Sequence, residues 1–146
     1  MRALVVLIVA LSAPQASAYD SRIGDALIDV RSGLRGSRVD LSQMVQPRWR
    51  AGMTLAHGWS PVRIPVGLGL IVGYEHHQRG YAVVPRASLA ASMGLLEDSG
   101  LGVNAQLSAG LAWYVTRRLG VGLNLAGNFW GDELKPDVTL SLVQRW

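Results

Sequence analysis

The chain has 146 residues, no cysteine, 14 basic against 10 acidic side chains and a formal charge of +4. Without cysteine it is not a disulfide-stapled scaffold. The basic residues, nearly all arginine, stand singly apart from Arg117-Arg118, which excludes a phosphate-tracking nucleic-acid surface.

The first eighteen residues combine Arg2, an apolar run from Ala3 to Ala13 and a small-x-small site at Ala16-Ser17-Ala18. This predicts a signal peptide over 1–18, too short to span a bilayer as a helix, followed by a domain over 19–146 that begins at Tyr19. Every later apolar run is broken within a few residues by Gly, Arg, Asn or Ser, so a helical membrane protein is not expected.

Beyond that point the chain alternates with a period of two, which is the signature of strands. Ala26 to Leu34 and Val39 to Val45 read as two strands turning at Arg35-Gly36-Ser37, with Ile28, Val30, Val39, Leu41 and Val45 on the apolar face. Arg48 to Trp59 sets Trp49, Ala51, Met53 and Leu55 against Arg48, Arg50, Gly52 and Thr54. Val62 to Tyr74 sets Val66, Leu68, Leu70 and Val72 against Gly67, Gly69 and Gly73, and Tyr81 to Leu95 repeats the contrast. Leu101 to Val115, Leu119 to Trp130 and Pro136 to Trp146 complete eight strands joined by short turns, which permit only antiparallel neighbours. Pro65 and Pro85 each remove a ladder donor, so the spanning parts are expected to be trimmed to about Val66–Glu75 and Arg86–Leu95. That trimming leaves a long connection from His76 to Pro85.

Alternation fits a membrane barrel and a soluble one equally; the composition of the faces decides between them. The polar face is Gly, Ser, Asn and Gln with single charges, which suits a narrow interior and not a water-facing sheet. The bulky face must then point outward to lipid. The expected interior polar set is Arg48, Arg50, Arg63, Glu75, His77, Arg86, Asn104, Gln106, Tyr114, Asn124, Asn128, Asp137 and Arg145. Aromatic residues fall at strand ends, with Trp49, Tyr74, Tyr81 and Trp113 at one rim and Trp59 and Phe129 at the other, the pattern of two interfacial girdles.

The last eleven residues, Pro136 to Trp146, place Val138, Leu140, Leu142, Gln144 and Trp146 on one face and end on an aromatic. This resembles the closing strand of bacterial outer-membrane β-barrels, whose terminal aromatic and alternating apolar positions are read by the barrel-assembly machinery. Gln144, where that signal is usually apolar, and Trp in place of the commoner Phe depart from it. The chain as a whole resembles the small OmpA/OmpX-like outer-membrane barrels. The resemblance implies an all-β, closed, up-and-down barrel of eight strands in the outer membrane of a Gram-negative bacterium. It further implies lipid and the assembly machinery as partners, an envelope-stabilising role and no cofactor.

Two other functions make different demands on these residues. A periplasmic soluble barrel binding a lipophilic ligand would require the bulky faces to point inward. A lipid A-modifying enzyme would need a convergent His, Ser and carboxylate. His57 and Ser60, three apart, lie on opposite strand faces, and His76-His77 diverge as adjacent strand residues, so neither a catalytic nor a metal site is expected. GLGLIVG and LGVGLNLAG lack the strand-to-helix context of nucleotide loops. The turns assigned to the outside are short, which disfavours surface recognition.

Overall fold

A computed structural model describes residues 22–58, 66–77, 81–95, 100–130 and 133–146. The expected signal peptide, Tyr19, Trp59 and Arg63 lie outside the described residues.

Eight strands follow one another in chain order: β1 (Ala26–Gly33), β2 (Gly36–Gln46), β3 (Trp49–Gly58), β4 (Gly67–Glu75), β5 (Val83–Leu95), β6 (Leu101–Tyr114), β7 (Leu119–Trp130) and β8 (Glu133–Arg145). Each pairs antiparallel with the next. β1 returns to β8 with Leu27 opposite Arg145 and Gly33 opposite Thr139, so the sheet is a closed barrel without an edge. Trp146 lengthens this seam, exchanging two backbone hydrogen bonds of 3.2 Å with Ala26.

The alternation read from the sequence sets the two faces. Along β8, Asp137, Thr139, Ser141, Val143 and Arg145 are buried, while Val138, Leu140, Leu142, Gln144 and Trp146 are exposed. The same division runs through the other strands, and Leu70, 69% exposed, and Leu125, 68% exposed, show how little protein covers the outer apolar face. The largest buried side chains include the polar Arg50, Arg145, Glu75, Asn124, Asp29 and Asp40 beside the apolar Leu27, Met44, Ile71, Val84 and Val143. This is the reverse of a water-soluble barrel with a lipophilic cavity.

Two prolines sit inside strands, contrary to the trimming expected at Pro85. β5 begins at Val83 and Pro85 pairs with Leu111, so the connection from β4 is 76–82. Pro85 turns its ladder edge toward β4, where its carbonyl accepts from the His76 N–H at 2.9 Å, one residue past the last residue of β4. Pro136 repeats the device. β8 starts at Glu133, earlier than the sequence suggested, and the Pro136 carbonyl accepts from Arg35 Nε at 2.9 Å, beyond the last residue of β1. Both prolines therefore stand beside positions just past the end of the neighbouring strand, so at most one terminal ladder bond is lost at each.

Interior glycines allow close approach of the backbones. A Cβ at Gly52, Gly69 or Gly110 would run into the carbonyl oxygen of Leu41, Ala91 or Leu123 on the adjoining strand. Backbone cannot move aside as a side chain can. Gly69→Ala is therefore expected to cost about 1–3 kcal/mol, the range for overpacking a tight site. At Gly127 the nearest obstacle is the flexible end of Leu134 at 3.0 Å, and alanine there should be tolerated. Urea midpoints of the two variants in lipid vesicles would show the contrast.

Candidate functional site in the barrel interior

Going from the rim that carries Trp146 toward the opposite rim, the interior changes character. Near the Trp146 rim Leu27, Met44, Val84, Ala112, Tyr114 and Val143 form a buried apolar cluster inside the barrel. Around and above it, charged side chains from six strands meet.

Asp29 is the hub of this network. Its Oδ2 accepts from Arg31 Nε at 2.9 Å and from Arg86 Nη1 at 3.0 Å, and lies 3.6 Å from Arg50 Nη2. One carboxylate from β1 thus faces guanidiniums from β1, β3 and β5. Arg86 also donates to Asn124 Oδ1 at 2.9 Å and to Ser141 on β8. Glu75 is a second hub, paired with Arg145, with His77 Nε2 at 3.0 Å and with Arg50 Nε at 3.6 Å. The Arg145 guanidinium also stacks 4.7 Å over the Tyr114 ring. Arg38 Nε approaches Asp40 Oδ1 to 2.9 Å. Arg31 reaches across the barrel, donating to Ser108 at 2.7 Å and Ser88 at 3.1 Å.

Of the interior residues expected from the sequence, Arg50, Glu75, Arg86, Asn124, Asp137 and Arg145 are buried inside, and Asn104 and Gln106 are partly covered. Arg48 is a correction. It lies exposed in the β2–β3 turn, one residue before β3 begins; its carbonyl still accepts from the Glu75 N–H at 2.9 Å, but its side chain is not covered by the barrel. The sequence reading missed Asp29, Arg31, Arg38 and Asp40, all 5% exposed or less. The signal was present: these residues alternate with Ile28, Val30, Val39 and Leu41, the apolar face already noted in β1 and β2.

At the rims, Trp49 packs edge-on against Tyr74 with ring centroids 5.1 Å apart, and Trp113 and Tyr81 stand at the same Trp146 end of their strands. Phe129 stands 41% exposed toward the opposite rim. Among the described residues no cluster of His, Asp and Glu has the arrangement of a metal site.

No protein-family model matches the chain, and no curated protein sequence does either. Solved structures do. The N-terminal β-barrel domain of Pseudomonas aeruginosa OprF superposes with a TM-score of 0.62 at 14% identity, covering 87% of this chain and 99% of that one. A de novo designed transmembrane β-barrel gives 0.58 at 15% identity, with 87% and 99% covered. Neisserial surface protein A gives 0.53 at 15% identity, with 84% and 92% covered. At these identities the likeness speaks for the fold. With its closed eight-strand topology and outward apolar face, the chain has the fold of the small outer-membrane β-barrels.

Proposed function

We propose that this chain is an integral outer-membrane protein with a structural, envelope-stabilising role, exported through a cleaved signal over 1–18 and filled by polar side chains. The observation that carries the reading is the inverted burial: Arg50, Glu75, Asp29 and Arg145 are 1% exposed or less inside the wall, while leucines and valines cover the outside. In water that arrangement would expose a large apolar surface; in lipid it matches the solvent. The interior supports a filled barrel, since the Arg86–Asp29 ion pair and the Arg31–Ser108 hydrogen bond cross it from wall to wall.

In this reading Val138, Leu140, Leu142 and Trp146 form the strand face presented to the assembly machinery, and Trp49, Tyr74, Tyr81, Trp113 and Phe129 sit at headgroup level. Trp146 also closes the β1–β8 seam through its two bonds to Ala26. Deleting it should lower outer-membrane levels several-fold while leaving signal cleavage intact, read by immunoblot of fractionated membranes. Unchanged levels would contradict the assembly role. The role is proposed as non-catalytic, because the Glu75–His77 pair is bound up with Arg145 inside the network.

The membrane reading is tested by gel mobility. Unboiled protein from the outer-membrane fraction should migrate apart from boiled protein in SDS. A single unshifted band, with the protein released by osmotic shock, would contradict it.

A further inference from the structure

The interior is plugged by apolar side chains near the Trp146 rim and leaves a small polar cup toward the opposite rim. Its floor is made by Arg31 and Arg38, both of which reach across the barrel to Ser88, at 3.1 and 3.4 Å. Its walls include Thr54, Ser92, Asn104 and Gln106, and glycine at positions 36, 58, 67 and 94 leaves the space open.

Among the described residues, three buried polar atoms of this lining have neither a hydrogen-bond nor an ion-pair partner: Arg38 Nη1, Thr54 Oγ1 and Asn104 Oδ1. Arg38 turns Nε toward Asp40, which leaves Nη1 as a cationic donor at a residue only 5% exposed. Leaving such a donor unmatched is costly, more so than for a neutral group. Thr54 can donate through its hydroxyl, and an amide flip lets Asn104 present its NH₂. The carboxylate among the described lining residues, Asp137, is already occupied: its oxygens accept from the N–H groups of Leu34 at 3.0 Å, Arg35 at 3.3 Å and Val138 at 2.8 Å. A cation entering the cup would meet guanidiniums and no available carboxylate; an anion would meet free donors.

We propose that the cup binds a small soluble oxyanion, a carboxylate, phosphate or sulfate, seated on Arg38 with Thr54 and Asn104 as flanking donors. The donors lie inside the strand wall, so the ligand is a solute and not a bilayer headgroup. This goes beyond the envelope role and needs only the folded barrel.

The test is calorimetric titration of the purified barrel, in uncharged detergent micelles at constant ionic strength, with inorganic phosphate and with acetate. Wild type should bind at least one of them saturably, one per barrel. R38M should weaken binding at least tenfold. S92F, which fills the cup and keeps every charge, should do the same. Cold-gel mobility would confirm that each variant is folded, and S92F keeps the test decisive if R38M does not assemble. Unsaturable heats for both anions in wild type, or wild-type affinity in either folded variant, would overturn the proposal.

Discussion

Replacing Asp29 by alanine is expected to remove about 3–5 kcal/mol of stability, the cost of breaking a buried ion pair from one side. The reason is the geometry of its Oδ2, which holds Arg31 and Arg86 at hydrogen-bond distance with Arg50 close behind. Removing that single carboxylate leaves three guanidiniums crowded in a narrow interior, with Glu75 and Asp40 to balance them. The loss should be much smaller if Arg86 is replaced by Met in the same chain, because a buried charge then disappears together with its partner. Urea unfolding in lipid vesicles, followed by tryptophan fluorescence, reads both values. Equal stability of Asp29→Ala and wild type would mean that the network does not hold the interior together.

Arginine in place of Leu123 probes the outer face. Leu123 is 53% exposed, pairs with Leu111 and Leu140, and stands near the middle of β7. If that face meets hydrocarbon, Leu123→Arg should cost about 2–4 kcal/mol, and the same change at Leu119, at the end of β7, only about 0–1 kcal/mol. A soluble barrel would tolerate arginine at both positions. The gradient along one strand therefore carries more information than either value alone.

The sequence and the structure agree where one strand carries the information within itself. The faces of β4 to β8 follow from a period of two and from the contrast between bulky and small residues; Val66 to Val72 against Gly67 to Gly73 is enough to orient β4. Strand ends were harder, because a turn residue can continue an alternation by chance, as Arg48 does. Pro85 is misread for a related reason, and Pro136 shows the same device. Whether a missing N–H matters depends on where the neighbouring strand stops, and Pro85 and Pro136 both face past such an end. The interior network was legible as a list of polar residues but not as a set of contacts. Asp29 and Arg86 meet from β1 and β5, and Arg31 and Ser108 from β1 and β6, pairings set by barrel closure and register. In β1 and β2 the charges also hid in strands whose apolar faces are thin, so the sequence showed two weak strands where the structure has the densest part of the site.

The central claim is that the bulky faces meet lipid while the charged faces meet one another inside a closed wall. Because the chain has no cysteine, single cysteines can be placed without background. The direct measurement labels Leu123→Cys, Asn124→Cys, Leu125→Cys and Ala126→Cys, one at a time, with an environment-sensitive fluorophore in vesicles containing brominated lipid. The account predicts strong quenching at 123 and 125, and little quenching with poor labelling at 124 and 126, whose side chains lie inside. Uniform quenching, or quenching at 124 and 126 alone, would contradict it.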